Sequence, residues 1–391
     1  MEALLKYIKG DRPVWLIMLL LSVLSLLLVY SSIVTLAYRH HDGNTFYYLF
    51  RHGFILVAGL GLMYLAHRIK YTYYSKIAQL ALYVSIPLLL VTLLMGTSIN
   101  SANRWLTIPV INQTFQTSDL AKVALIMFVA RFLAVRQDEI KDFKRGFLPL
   151  LIPVFIVCGL ILPADLSTAA MLFINCLVLM FIGRVQLKHL GVLLLSGVFA
   201  LGMVYLTGKA LPGSFGRLDT WISRVESFVS PDESSMNQSY QSDQSKIAIA
   251  TGGIVGKMPG KSTQRNFLPH PYSDFIYSIV LEEYGLIGGV FVLILYLVLL
   301  FRAIKIGLDC PRTFGSLLSI GIGFSLVFQA MINMAVAVNL VPVTGQSLPM
   351  VSMGGTSIWF TCFAVGIILS VSAGAEKEDK SFTNKPMAHV S

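Results

Sequence analysis

Charge is what this chain lacks. Only 13% of its 391 residues are Asp, Glu, Lys or Arg, against 55% hydrophobic, and the mean hydropathy is +0.72. Soluble domains carry about 25% charged residues, so a soluble fold is excluded and a polytopic membrane protein is expected. Cysteine is scarce as well. Cys158, Cys176, Cys310 and Cys362 form no CxxC pair, and three of them lie inside apolar runs, so neither a disulfide framework nor a zinc site is expected. The seven histidines are scattered without ligand spacing. No Walker pattern is present, and no basic patch is interleaved with aromatics. The formal net charge of +10 therefore points away from nucleic acid and towards topogenic charge facing anionic membrane lipids. The absence of internal repeats argues against an inverted-repeat transporter. No cleavage site follows the first apolar run, which is too long for a signal-peptide core, so it is expected to remain as the first helix.

What the chain has is long, continuous apolar runs. They are unbroken rather than alternating, which predicts spanning helices and not a barrel. Ten spans are expected, at 13–37, 46–67, 75–96, 118–136, 146–163, 165–183, 187–208, 274–303, 313–338 and 353–373. The fifth and sixth are separated only by "PAD", which forces a tight re-entry. Lys and Arg concentrate on alternate loops, with nineteen of the 30 on the side of the N-terminus. The positive-inside rule then predicts a multi-pass protein of the inner (cytoplasmic) membrane with both termini cytoplasmic. The expected fold class is an all-α polytopic membrane protein. A single domain covers 1–373, with a large extracytoplasmic loop at 209–273 between the seventh and eighth helices. That loop shows no strong regular structure in its sequence, but Trp221, Phe228, Tyr240 and Phe267 make it more than a linker. The polar segment 374–391 is expected to be a disordered cytoplasmic tail.

Polar residues break the apolar pattern in four places. In "NSANRWLTIPVINQTFQTSDLAKVALIMF", Asp119 and Lys122 are three apart and share a helix face. They are either a helix start capped by Ser118 with a compensating ion pair, or, with Arg104, a grip on an anionic headgroup. In "LPADLSTAAML", Asp165 meets a helix N-terminus, where an acid is favourable. In "SYQSDQSKIAIATGGIVGKMPGKSTQRNFLPHPYSDFIYS", Gly252, Gly253, Gly256 and Gly260 either make plain turns or let backbone amides approach a ligand. Lys257, Lys261 and Arg265 add positive charge there, and Gln264 adds a polar side chain. In "NMAVAVNLVPVTGQSLPMVSMGGTSIWF", an uncharged loop holds Asn333, Asn339, Thr344, Gly345, Pro349, Ser352, Gly354 and Gly355. Irregular backbone near membrane level survives only inside protein or beside a wet cavity. All four fall on one side, so Arg104, Lys122, Lys257, Lys261 and Arg265 are expected to surround Asp274, with a phosphate-like anion beside the carboxylate. Glu282 and Glu283 follow two turns later, although a carboxylate at a bilayer centre costs about 2.5–3.5 kcal/mol. On a continuous helix Gly285 shares the face of Asp274, Glu282 lies about 80° away and Glu283 lies opposite. The expectation is a structural pairing for these two acids, with Lys122 or Arg51, and the alternative is that one of them faces the same cavity and acts in catalysis.

The motifs "RW…FQTSDLAK", "DLSTA", "YQSDQSKIAIATGGIVGKMPGKSTQ", "LPHPYSDFIYSIVLEEYGLIG" and "NLVPVTGQSLPMVSMGGTS" occur in that order. Together they resemble the SEDS family of shape, elongation, division and sporulation proteins (FtsW, RodA, SpoVE) over nearly the whole chain. The nearest branch is FtsW in a Bacteroidetes-like version, with RodA the close rival. The resemblance implies a peptidoglycan glycosyltransferase. Such an enzyme polymerises lipid II, a disaccharide-pentapeptide on undecaprenyl diphosphate, beside a class B penicillin-binding protein, other divisome proteins and membrane lipids, at the division septum. It also implies that the essential carboxylate is Asp274, where "SDFIY" stands for "TDFIF". Three departures are visible. "QPSE" reads "QTSD", so the acid is the shorter Asp119; the acid of "LPE" is His270; and "SYGGSS" reads "SMGGTS".

The chemistry follows from the groups. A sugar hydroxyl attacking an anomeric carbon needs a base, and Asp274 is expected to serve the 4-hydroxyl of the acceptor GlcNAc with inversion. The leaving diphosphate needs positive charge, for which Arg104 and Lys122 are the leading candidates. A divalent cation, Mg2+ or Mn2+, is the one cofactor that fits such chemistry; no organic cofactor is expected. Two alternatives stand beside this reading: a lipid II flippase, and an elongation polymerase of the RodA type.

Overall fold

A computed structural model describes residues 9–34, 36, 38, 44–99, 102–108, 113–210, 218–229, 236–269 and 271–383. Twelve helices carry the fold: α1 (Arg12–Ser32), α2 (Thr45–Arg68), α3 (Tyr71–Met95), α4 (Thr117–Val135), α5 (Leu148–Ile161), α6 (Leu166–Ile182), α7 (Leu187–Ala210), α8 (Leu218–Val229), α9 (Met236–Gly252), α10 (Ile276–Asp309), α11 (Thr313–Ala337) and α12 (Gly355–Thr383). Eight helices are long and apolar enough to cross a membrane; α6 is shorter, and α4 carries Asp119, Lys122 and Arg131. The chain is a multi-pass membrane protein.

A first departure from the expected fold is a three-stranded antiparallel sheet between α3 and α4, formed by β1 (Thr97–Ile99), β2 (Ala102–Ile108) and β3 (Gln113–Gln116) in the order β1-β2-β3. Trp105 pairs with Gln116 and Leu106 with Phe115. The sheet is tied to the bundle where Gln116 N–H donates to Thr356 Oγ1 (3.4 Å) and that hydroxyl donates to the Thr114 carbonyl (3.3 Å). A second departure is the 209–273 connection, which holds α8 and α9 where no regular structure is evident in the sequence. α9 is fixed by the Ser245 hydroxyl, which donates to the Ala337 carbonyl (2.6 Å) and lies 2.5 Å from Ser278 Oγ. α12 runs on to Thr383, into the tail expected to be disordered from 374; 384–391 lie outside the described residues.

Helices in lipid gain little from the hydrophobic effect and associate by close packing, which favours small residues at crossings. A Cβ added at Gly366 of α12 would meet the Met63 carbonyl of α2 at 2.5 Å. Far from the sheet, Asp11 caps α1 through Val14 N–H (3.1 Å) and takes Arg302 of α10 in a two-pronged ion pair, with Nε 2.9 Å from Oδ2. This joins the start of α1 to the end of α10.

α10 is not continuous. Gly285 has φ +67° and ψ −167°, which breaks the helix. The expected facial arrangement of Asp274, Glu282, Glu283 and Gly285 therefore does not hold, and Asp274 itself precedes the helix. The freed backbone groups are taken up by the glycine segment after α9. Lys257 N–H donates to Glu282 O (2.9 Å) and Met258 N–H to Glu283 O (3.0 Å), while Leu286 N–H donates to Gly253 O (2.9 Å) and Ile287 N–H to Ile254 O (3.2 Å). Unpaired backbone groups cost several kcal/mol in lipid, so this cross-pairing is what makes the break tolerable. The glycines serve it: a Cβ at Gly252 would sit 2.0 Å from Leu281 O, and one at Gly256 would sit 2.3 Å from Glu283 O. Their role is to meet the broken helix, not to admit a ligand.

Gly253 and Gly256 separate conformation from contact, since both have positive φ but only Gly256 is crowded. Gly253→Ala should cost about 1–2 kcal/mol for the left-handed conformation alone. Gly256→Ala should cost about 3 kcal/mol or more, because backbone must also move. Thermal denaturation in detergent checks this; equal losses would contradict the backbone-contact role.

Candidate active site

Asp274 lies in the turn Pro271–Phe275, just before α10, and is half-buried. Its Oδ1 accepts from the Ser273 hydroxyl at 2.8 Å. Its main chain is held by the loop between α11 and α12. Asn333 Nδ2 donates to the Asp274 carbonyl (2.9 Å) and to the Gln346 carbonyl (2.6 Å). Ser352 Oγ donates to the Ser273 carbonyl (2.7 Å) and accepts from Leu348 N–H (2.8 Å). Met353 N–H donates to the Tyr272 carbonyl at 2.9 Å. Gly345 (φ +69°) faces the carboxylate, and a Cβ there would stand 3.7 Å from Asp274 Oδ2. Gly354 closes the same loop just ahead of α12, and Ile358 N–H donates to its carbonyl at 3.1 Å.

The same loop reaches the other polar pairs. Asp165 caps α6 through Thr168 N–H (3.1 Å) and is buried against Arg104 of β2, whose Nη1 is 3.1 Å from its Oδ2 and whose Nε donates to the Ala164 carbonyl (2.9 Å). Gln346 Nε2 donates to Thr168 Oγ1 (2.9 Å) and to Asp165 Oδ2 (3.3 Å). Hydrogen bonds thus run from Arg104 through Asp165, Gln346 and Asn333 to Asp274. On α4 the Lys122 ammonium is 2.8 Å from Asp119 and donates to Gln329 Oε1 (3.3 Å), while Gln329 donates to the Ser347 carbonyl (3.0 Å). Ser118 does not cap α4; it lies within the first turn and accepts from Gln116 Nε2 at 3.0 Å. Small cavities of about 30 and 20 Å³ flank the Lys122 and Arg104 pairs, room for a water or so each. Asp119 Oδ2, Asn333 Oδ1 and Thr344 Oγ1 are buried there without a protein partner.

Three expected cations stand elsewhere. Lys257 is 2.7 Å from Glu282 Oε1. Arg265 Nη1 donates to the Ser31 carbonyl of α1 (2.9 Å). Lys261 is exposed and is not drawn into the Asp274 cluster by any hydrogen bond or ion pair. Glu282 therefore pairs with Lys257, and neither with Lys122 nor with Arg51. It also accepts from Ser262 Oγ, from Thr263 N–H (3.0 Å) and Oγ1 (2.9 Å), and from Gln264 N–H (3.2 Å). Glu283 accepts from the Ser31 hydroxyl and from Ser262 N–H (3.4 Å). Lys257, Gln264 and Arg265 thus wrap a buried acidic core that braces the segment carrying Asp274. His270 lies outside the described residues.

The sequence reading named Asn333 only as one polar group among several, and it missed two site residues, Gln346 and Arg224. Gln346 was inconspicuous because it is uncharged. Arg224, on α8, is half-buried and within electrostatic reach of Arg104, Asp165 and Asp274. Burial, and next the neighbouring Arg104, lowers its pKa from the ordinary arginine value, while the two carboxylates oppose that shift. Its only advance signal was its place beside Trp221 in a long polar loop.

Among the described residues no three His, Cys, Asp or Glu side chains converge as metal ligands, and the oxygens of Asp165 are taken by Arg104, Thr168 and Gln346. The donor set does not fit a resident Mg2+ or Mn2+.

The turn that carries Asp274 is thus held by the same loop and by the same α11 side chains that reach the Arg104–Asp165 and Lys122–Asp119 pairs. The model of the FtsW/RodA/SpoVE family, described as cell cycle proteins, matches residues 11–377. The chain belongs to this family. Among its relatives, stage V sporulation protein E of Bacillus subtilis is 34% identical, over 93% of this chain and 96% of that protein. A probable peptidoglycan glycosyltransferase FtsW of Geobacter metallireducens is likewise 34% identical, over 93% of this chain and 94% of that protein. A chain from a peptidoglycan synthase complex, solved to explain how polymerization and crosslinking are coordinated, shares the fold with TM-score 0.72 and 26% identity, over 94% of this chain and 98% of that one. The rod shape determining protein RodA of Thermus thermophilus, at 24% identity and TM-score 0.65, shares the fold over 93% of this chain.

The Lys257–Glu282 pair is testable by a double-mutant cycle. Lys257→Met alone should cost about 3–5 kcal/mol, because it strands a buried carboxylate. Lys257→Met with Glu282→Gln should recover most of that loss in denaturation measurements. A double variant no more stable than Lys257→Met would remove the pair from the folding core.

Proposed function

We propose that this chain is a peptidoglycan glycosyltransferase that polymerises lipid II during cell division. It would do so from the inner membrane, with both termini cytoplasmic and Asp274 on the outer side. The observation that carries the reading is the state of Asp274. Among the described residues Asp11, Asp119, Asp165 and Glu282 each have a cation within 3.1 Å, and the buried Glu283 is held by the Ser31 hydroxyl and Ser262 N–H; the half-buried carboxylate of Asp274 has only the Ser273 hydroxyl. An acid left without a cation near the membrane surface is costly, and such residues are kept for function. The relatives named peptidoglycan glycosyltransferases support the reaction class.

In this mechanism the acceptor's GlcNAc 4-hydroxyl attacks the anomeric carbon of the donor, and its proton passes to Asp274 as the new C–O bond forms. The bond from the anomeric carbon to the diphosphate breaks, undecaprenyl diphosphate leaves with the electron pair, and the anomeric centre inverts. Asn333 and Ser352 fix the main chain of Asp274, so the base is pre-positioned without being neutralised. Arg104 and Lys122 are committed to Asp165 and Asp119, which assigns them to shaping the field rather than to direct contact. Arg224 has no such commitment among the described residues and is the group we place against the departing diphosphate. The class B penicillin-binding protein that crosslinks the strands is the proposed partner, and septal localisation, against side-wall localisation, is what separates division from elongation.

Asp274→Asn keeps the shape of the site and removes the base; it should abolish glycan chain synthesis from lipid II by the purified protein with its partner. Full-length strands from that variant would end the general-base assignment.

Arg224→Ala should lower kcat/KM for lipid II by about tenfold or more, the worth of one charge-assisted contact, and Arg224→Lys should restore part of it. An unchanged rate would take the diphosphate away from α8.

A further inference from the structure

At the end of the bundle away from Asp274, α3, α4 and α5 enclose a cavity of about 310 Å³. It is an order of magnitude larger than the cavities beside the Arg104 and Lys122 pairs. Prolines help to make it: Pro153 lies inside α5 and Pro149 at its start, and a proline in a helix removes a hydrogen bond and bends the backbone away. The walls are apolar, with Leu82 from α3 and Phe128 and Phe132 from α4. Two cations, Arg131 and Arg136, also line it.

Both guanidinium groups are held in place with donors to spare. Arg131 Nη1 donates to the carbonyls of Ser75 and Lys76 at the start of α3. Arg136 lies over the Phe132 ring at 5.1 Å, donates through Nη1 to the Arg145 carbonyl (3.0 Å), and has Glu139 at 3.7 Å. An arginine has five N–H donors, so each retains unused ones. Glu139 is half-exposed and forms an ion pair with Arg136, while the carboxylate of Asp142 is occupied by the N–H groups of Lys144 and Arg145. Basic residues at the C-terminal end of α4 also suit the helix dipole and the topogenic pattern, but neither effect calls for an apolar cavity between them.

We propose that this cavity binds the phosphodiester headgroup of an anionic glycerophospholipid, with the phosphate between Arg131 and Arg136, where Glu139 is paired only loosely with Arg136 at 3.7 Å, and the acyl chains along the outer faces of α3 and α5. Those faces are apolar and exposed at Tyr83, Ile152 and Phe155. A basic pocket between membrane helices, opening beside lipid, has the chemistry such headgroups select. A free phosphate satisfies the guanidinium groups but gains nothing from the apolar walls. The site braces α4 at the end opposite Asp119 and Lys122, and it depends only on the membrane-spanning reading, not on the reaction proposed above.

The test uses the full chain, purified in a neutral detergent, with phosphatidylglycerol, phosphatidylcholine and inorganic phosphate as probes. Native mass spectrometry should show phosphatidylglycerol retained, phosphatidylcholine not, and no displacement by inorganic phosphate. Arg136→Gln, at a half-exposed position that leaves the fold intact, should weaken phosphatidylglycerol binding about fivefold, and Arg131→Gln by at least as much. Lys305→Gln, an exposed lysine outside the cavity, should leave binding unchanged. Equal retention of phosphatidylcholine, displacement by inorganic phosphate, or equal loss in Arg136→Gln and Lys305→Gln would each overturn the site. Because none of these readouts involves glycan synthesis, its failure leaves the reaction untouched, and the reverse holds as well.

Discussion

Backbone that stops being helical inside an apolar medium must find its hydrogen bonds within the protein. This chain meets that demand twice, at the break of α10 around Gly285 and in the loop between α11 and α12. At the break, the segment Gly253–Met258 supplies the missing partners main chain to main chain. In the loop, side chains do it. Asn333, Gln329 and Ser352 take the carbonyls of Gln346, Ser347 and Ser273, and Tyr296 of α10 takes that of Pro349. The second solution also creates the site, because the loop that is satisfied is the loop that holds Asp274.

The buried acids sort themselves by how they are neutralised. Asp11 joins two helix ends, Asp165 caps α6, Asp119 pairs along α4, and Glu282 sits in a cage of four residues. Each is removed from chemistry by a short ion pair. Truncating one partner of such a pair destabilises far more than the pair itself contributes, which explains why these acids lie on structural seams. Asp274 belongs to a different class. Its neighbours bind its main chain and leave its carboxylate unpaired, an arrangement that adds nothing to folding and suits proton transfer.

The helices were legible in the sequence because hydropathy is a property of each segment alone: each expected span overlaps a helix, and among the described residues eight helices are long and apolar enough to cross a membrane. Asp274 was legible because an acid at the edge of an apolar run is a local anomaly. Partnership was less legible. The sequence offered Lys122 and Arg51 to Glu282, whereas Lys257 reaches it, because the break at Gly285 and the returning glycine segment decide which cation is near. The glycines looked the same as a ligand loop would, since close approach, as at Gly252 and Gly256, and positive φ, as at Gly253 and Gly260, both favour the missing Cβ. The sheet was hidden for a different reason: its strands are short and alternate poorly, and their pairing depends on the ends of α3 and α4 being held together. Gln346 gave no signal, because an uncharged amide in a polar loop is unremarkable until its partners are known.

The break in α10 also separates two mechanical units. The part after Gly285 is anchored at the far end by Arg302 and Asp11; the part before it, Ile276–Tyr284, is anchored by Glu282, Glu283 and Ser278 to the segment 245–264 and to Ser31. A continuous helix would have tied the orientation of Asp274 to a rod of 34 residues. With the break, that orientation is set by contacts within one end of the bundle, and the exposed Ile254, Val255 and Met258 mark where those contacts face the surroundings. The paired acids Glu282 and Glu283 thus belong to the placement of Asp274 as much as to stability. Their cage is costly in desolvation, and it holds the short helix that follows Asp274 while the Asp274 carboxylate itself keeps clear of the cations that neutralise the buried acids.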